Sequence, residues 1–240
     1  MKQYRAMTTK EIQKELDCLG DKKKAAILQR FFKTGKGEYA EGDLFRGITV
    51  PVLRTLARRY KDISLSEIEE LLHSPFHEDR LLALLILVQA YSKDDAPMRS
   101  EIYALYLRNT TFINNWDLVD VSAEHIVGGF LMDRDKEPLT RLALSTMLWE
   151  RRIAIMATFH FIKMGKFDET FRVARLLLSD KEDLLHKAVG WMLREVGKRD
   201  FNAEEDFLRK HYRQMPRTML RYAIEKFPEP VRQAYLKGKV

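Results

Sequence analysis

Cysteine is almost missing. Cys18 is the one thiol in 240 residues, which excludes a disulfide framework, a paired-cysteine zinc site and a redox pair, and fits a reducing cytosol. Histidine is sparse and scattered: there are six, with no His-Glu-x-x-His among them. His73 and His77 straddle Pro75, which spoils the helical i,i+4 geometry that a zinc pair needs. Long apolar runs are missing as well. Stretches such as 81–90 are too short to span a bilayer, and the polar start Met1-Lys2-Gln3-Tyr4-Arg5 lacks the apolar core of a signal peptide, so a cytoplasmic protein is expected. No Gly-x-Ser-x-Gly is present, and Cys18 falls on an amphipathic helix, where a buried structural thiol is expected. Gly35-Lys36-Gly37-Glu38-Tyr39 is not closed by Gly-Lys-Ser/Thr and reads as an ordinary loop. An alternating strand pattern is almost absent.

What the chain does have is positive charge and apolar residues at helical spacing. Its 42 basic and 35 acidic residues leave +7, and a pI near 9.3 points to a polyanionic partner, although an ordinary basic protein has the same count. With 45% apolar content, residues 1–240 can bury one continuous core as a single elongated domain. Residues 228–240, with Pro228, Pro230 and Lys237-Gly238-Lys239, read as a fraying C-terminal tail. Thr8-Thr9-Lys10-Glu11 before Ile12, Leu16 and Leu19 reads as a capped amphipathic helix, and a second follows over about 22–32. Thr49 caps a third, with Pro51 in its first turn. Apolar residues then recur at three- and four-residue steps over 63–72, 79–91, 97–107, 116–130, 138–148, 150–164, 167–178, 183–196, 201–212 and 215–224, separated by short polar breaks.

Aligning the second helix of each hairpin puts Arg80-Leu81-Leu82-Ala83, Val119-Asp120-Val121-Ser122, Arg152-Ile153-Ala154-Ile155 and Lys187-Ala188-Val189-Gly190 in register. The steps of roughly 39, 33 and 35 residues lie within the range of helical solenoids. The expected fold is therefore all-α, an α-α superhelix of HEAT-like helical repeats with the second helices on its concave side. In this register Arg80, Arg152 and Lys187 place cations near the same end of those helices, and Asp120 sits at that level as one carboxylate in a cationic trough. Trp191 is one helical turn after Lys187 and on the same side.

Asn114-Asn115-Trp116-Asp117-Leu118-Val119-Asp120 stands out because Trp116 lies among residues too polar for a comfortable core position. Trp149, ahead of its helix, reads as core. Asp117 or Asp120 in the first turn of a helix has a plain capping role open to it, and Arg152 has an equally plain one as a bond between repeats. Arg217 and Arg221 share a face of a terminal helix, where they solvate a cap or hold phosphates.

Trp116-Asp117-Leu118-Val119-Asp120, Trp149-Glu150-Arg151-Arg152-Ile153-Ala154 and Lys187-Ala188-Val189-Gly190-Trp191-Met192-Leu193-Arg194-Glu195 follow in order along a basic helical-repeat chain. In these motifs, over roughly 45–224, the sequence resembles the AlkD family of DNA alkylation repair glycosylases. The resemblance implies a monofunctional glycosylase acting in base-excision repair. It would hydrolyse the N-glycosidic bond of cationic N3- and N7-alkylated purines without a metal or cofactor and without turning the base out of the helix. It places the catalytic aspartate on Asp120, its aromatic partners on Trp116 and Trp191, and the DNA-contacting arginine on Arg152, with Arg194 and Lys187 as further backbone contacts. The expected partner is double-stranded DNA with alkylated bases, met by a monomer. One departure is visible: relatives can present a Tyr from an N-terminal helix, whereas this chain has Phe31 and Phe32, which stack but donate no hydroxyl hydrogen bond. The alternative reading is a non-catalytic helical-repeat module that binds nucleic acid or protein through the same trough.

Overall fold

The computed structural model describes residues 7–93 and 95–240; the polar start from Met1 to Arg5 lies outside them. Among the described residues no strand forms, and one isolated parallel bridge joins Leu44 to Phe76. No helix among them is long and apolar enough to cross a membrane. The chain divides into two compact units, Met1–Ser122 and Ala123–Val240.

The first unit contains α1 (Thr9–Leu19), α2 (Lys22–Phe31), α3 (Val50–Arg59), α4 (Leu65–Leu72), α5 (His77–Lys93), α6 (Ala96–Arg108) and α7 (Trp116–Asp120). The capping box forms as the sequence predicts: Thr8 accepts from the Glu11 N–H, and Glu11 accepts from the Thr8 N–H at 2.8 Å. Cys18, however, is exposed on α1, because Ile12 and Leu16 define the buried stripe and position 18 falls off it. Both α3 and α4 pack on α5. That helix is buried along its first eleven residues, His77 to Leu87, so it has no polar face there and behaves as a core helix. The helix expected over 116–130 is broken after Asp120. Ser122 Oγ donates to the Leu118 carbonyl four residues back and also bonds Tyr106 Oη, a competition with the backbone ladder that bends or ends helices.

The second unit begins with a π-helical turn, Glu124–Gly128, and continues through α8 (Gly129–Leu131), α9 (Glu137–Ala143), α10 (Leu148–Lys163), α11 (Asp168–Leu176), α12 (Asp183–Gly197), α13 (Phe201–His211), α14 (Arg217–Ala223) and α15 (Glu229–Leu236). Here α9, α11 and the π turn pack on α10, α13 and α14 pack on α12, and α10 meets α12. Trp149 is buried at the start of α10, as its sequence position predicts. Close approach is bought with glycine at Gly190: a Cβ there would lie 2.4 Å from the Met219 carbonyl oxygen and 2.6 Å from Tyr222 Cβ, so α12 and α14 touch almost backbone to backbone.

The end of the chain differs from expectation. Residues 229–236 are helical rather than frayed, with Tyr235 buried and edge-on to Tyr212 at 5.3 Å. Arg217 Nη1 donates to the Leu236 carbonyl at 3.0 Å, so this arginine serves a helix C-terminus. Pro228 and Pro230, which suggested a tail, occupy the N-cap and first turn, where a missing N–H does no harm.

Two outcomes follow from this packing. Gly190→Ala forces a methyl group into backbone that cannot rotate away, and should lower unfolding free energy by about 1–3 kcal/mol; an unchanged denaturation midpoint would show that α12 and α14 can separate without loss. Glu204 is buried on α13, and burial pushes its carboxyl up to about 9, with the Arg194 guanidinium opposing. Between the ordinary carboxyl range and that value the native state holds a proton the unfolded chain has released, so stability falls as pH rises through this window. Glu204→Gln should therefore raise the melting temperature at about pH 8 and lose that advantage near pH 4.5; thermal denaturation across the range reads it.

Candidate functional site

The first unit is tied together at the start of α5. His77, Glu78, Asp79 and Arg80 are consecutive and all buried, between 0 and 4% exposed, although charged side chains are seldom buried unless paired. Each is paired, and together they reach the segment 43–48, Ser74 and α7. Glu78 accepts from the backbone N–H groups of Arg46, Gly47 and Ile48 at 2.8–3.2 Å. Asp79 takes both arms of the Arg46 guanidinium at 2.7 and 2.9 Å, plus the Ser74 hydroxyl at 2.7 Å. Arg80 Nη2 lies 2.7 Å from Asp43 Oδ2, and Nη1 donates to the Ser74 carbonyl at 2.9 Å. His77 Nε2 lies 2.8 Å from Asp117 Oδ2 on α7, while Nδ1 faces Asp43 Oδ2 at 3.6 Å. Burial pushes the imidazole toward its neutral form, but the bond to Asp117 and the Asp43 carboxylate facing the ring outweigh it and raise its pKa above the ordinary value.

These contacts separate the two carboxylates of α7. Asp117 is structural: Oδ1 accepts from the Leu118 N–H at 2.9 Å and Oδ2 is held by His77. The N-cap is Asn115, buried, whose side chain accepts from the Trp116 N–H at 2.8 Å. Asp120 is the last residue of the helix, half-buried, at the end where a carboxylate gains nothing from the helix dipole. The capping role left open by the sequence thus falls to Asn115 and Asp117. Asp120 is near enough to Tyr106 to add to the upward shift that burial imposes on that phenol.

Trp116 is half-buried and belongs to an aromatic stack. Phe32 lies nearly parallel to it at 5.2 Å and also stacks on Phe45 at 5.1 Å, while Phe31 approaches Trp116 edge-on at 6.0 Å. Phe31 is 62% exposed and Phe32 is buried, so the two phenyl groups do different work: Phe32 supports the indole from inside and Phe31 borders it from solvent. Phe32, Phe45, Ile48, Leu81, His77 and Asp117 also line an apolar cleft of about 190 Å³.

In the second unit, Lys187, Trp191 and Arg194 all lie on α12. Trp191 is half-buried, 6.1 Å from Phe159, and its Nε1 donates to Glu195 at 3.3 Å. Glu195 also takes Arg199 at 3.2 Å and Lys198 at 2.5 Å, and these cations outweigh the burial that would raise its carboxyl, so its pKa is lowered. Lys187 pairs with Asp183 one turn earlier at 2.6 Å, and Arg194 pairs with Glu225.

The cationic trough predicted by aligning repeats is corrected in two of its three members. Arg80 is buried against Asp43, and Arg152 is 5% exposed, with Nη1 donating at 2.6 Å to the carbonyl of Leu184 in the first turn of α12. The guanidinium expected to grip phosphate is therefore the bond between α10 and α12. His77 and Asp43 escaped sequence reasoning. The available signal was four ionisable residues directly ahead of the apolar run 81–87, a pattern that leaves the helix no solvent face. His73, apart from His77, bonds Asn109 at 2.6 Å. No cluster of three or more metal-ligating side chains occurs among the described residues.

Residues 12–227 match the sequence profile of a family described as DNA alkylation repair enzyme. Among solved structures, one described as "Predicted DNA alkylation repair enzyme from Enterococcus faecalis" superposes with a TM-score of 0.68 at 17% identity, covering 88% of this chain and 97% of that one. At that identity the likeness is one of fold. No curated protein matches the chain.

The two phenylalanines should part on substitution. Phe32→Ala removes a buried ring shared by Trp116, Phe45 and His77 and should cost about 3–5 kcal/mol of stability. Phe31→Ala should change stability by less than about 0.5 kcal/mol. Equal losses in chemical denaturation would refute the division of labour between them.

Proposed function

The chain belongs to the DNA alkylation repair enzyme family, and from that premise we propose that it is a monofunctional glycosylase hydrolysing the N-glycosidic bond of cationic N3- and N7-alkylated purines in duplex DNA. The observation that carries this reading is the placement of Asp120, a half-buried carboxylate at the end of α7, four residues after the half-exposed indole of Trp116.

The chemistry asks for little more. An N3- or N7-alkylated purine already carries positive charge and leaves as a neutral base, so no acid is needed to protonate the leaving group. As the bond breaks, positive charge moves onto the sugar. A fixed carboxylate stabilises that charge as it develops and orients the attacking water. Indole faces attract the same cation, by about 0.5–1 kcal/mol when exposed and 2 or more when desolvated; Trp116, on the helix of Asp120, suits that role, and the family resemblance assigns it to Trp191 as well. Phosphates fall to Lys187 and Arg194, each exchanging a carboxylate partner for DNA, while Arg152 serves by fixing the first turn of α12. A net charge of +7 favours the polyanion and makes binding salt-dependent.

Asp120→Asn tests the assignment. Duplex affinity should stay within about twofold, because no phosphate contact is removed, while release of N7-methylguanine falls roughly 100-fold or more, the scale of removing one preorganised electrostatic group. Steeply salt-dependent binding with no abasic product from the unaltered protein would instead indicate a non-catalytic module.

A further inference from the structure

We propose that His77 is a positioning residue for Asp120 and Trp116: set between Asp117 and Asp43, it fixes the angle at which α7 leaves the core. The inference rests on the glycosylase reading for its consequence in catalysis, but not for the contact itself. A helix of five residues has little stability of its own, so its orientation is imposed from outside. Leu118 and Val119 anchor one face by burial. The polar face is held at Asp117, through the 2.8 Å bond to His77. Asp117 immediately follows Trp116 and precedes Asp120 by one turn, so a rotation of α7 about this point moves the indole and the carboxylate together.

The clamp is built to respond to protonation. His77 Nε2 faces Asp117 and Nδ1 faces Asp43, so both ring nitrogens look at carboxylates and only the imidazolium can offer a proton to each. Loss of one proton leaves a lone pair facing one carboxylate and removes the positive charge that draws both toward the ring. Phe45 and Phe32 cover the ring at 4.6 and 4.9 Å and exclude water from it. Of the other charged groups near the ring, Arg80 opposes the imidazolium yet is itself bound to Asp43, and Glu78 is engaged by the amides of residues 46–48. Asn114 also bonds Asp43, at 3.1 Å. The residues just before α7 and its first turn are therefore both tied to the same buried pair.

Two readouts test this. In single-turnover release of N7-methylguanine from duplex DNA, the unaltered protein should lose rate on the alkaline side as His77 deprotonates. His77→Gln should be slower by roughly 10- to 100-fold at neutral pH, the scale on which misplacement by about 1 Å acts, with unchanged duplex Kd and without that alkaline limb. Independently, 5-fluorotryptophan-labelled protein should show the Trp116 ¹⁹F resonance, assigned by Trp116→Phe, shifting with the midpoint of the alkaline limb and with that of the His77 ring nitrogens in ¹⁵N spectra. This titration uses the unaltered protein and so does not depend on whether the variant folds. A Trp116 resonance that ignores His77 titration, or a folded His77→Gln with the parent rate and pH profile, overturns the proposal while leaving the glycosylase reading intact. A titrating Trp116 resonance in a protein that releases no alkylated base supports the clamp and removes the glycosylase reading.

Discussion

The first unit depends on burying four ionisable side chains at the start of one helix without leaving their charges unpaired. Removing one partner of such a buried pair costs about 3–5 kcal/mol, a large part of the 5–15 kcal/mol that holds a typical domain together. His77, Glu78, Asp79 and Arg80 meet that constraint by pairing with α7, the loop 46–48, Arg46 and Asp43 respectively. One turn of α5 thus fixes both α7 and the irregular segment 43–48. Apolar packing alone would leave their angles looser, because it is non-directional.

The same constraint sorts the chemistry of α7. Two aspartates three residues apart look equivalent on paper. Once His77 and the Leu118 N–H have taken Asp117, only Asp120 is placed at the end of the helix, without the favourable dipole of a helix start. The indole of Trp116 is set by stacking on Phe32, which stacks in turn on Phe45. Aromatic pairs of this kind contribute about 0.5–1.5 kcal/mol beyond burial, enough to favour one ring orientation. The Phe at position 32 lends support to the indole rather than a hydroxyl.

In the second unit the organising contact is steric. Gly190 lets α12 lie against α14, and Arg152 bonds α12 to α10 through the Leu184 carbonyl. The helix carrying Trp191, Lys187 and Arg194 is therefore fixed at its first turn by a guanidinium and at its middle by a glycine. The residue type that suggests phosphate binding is here a structural strut, which the sequence had left open for Arg152.

Much of this was legible in the sequence. Helix positions followed from apolar spacing, the first cap from Thr8 and Glu11, the core role of Trp149 from its place ahead of a helix, and the membership of the chain in a DNA alkylation repair family from three short motifs. These are local properties, or patterns carried by neighbours in the chain. Tertiary structure decided which charges are solvated. Arg80 and Arg152 look like surface cations because the sequence does not show Asp43 or the Leu184 carbonyl waiting 37 and 32 residues away. Cys18 looks buried because one residue of helical phase separates the two outcomes, and 229–236 looks like a tail because nothing local announces that Tyr235 will find Tyr212. Periodicity fixes which residues share a face, but only contact between distant segments fixes what that face meets, and for an ionisable side chain the partner determines whether it is a strut or a reagent.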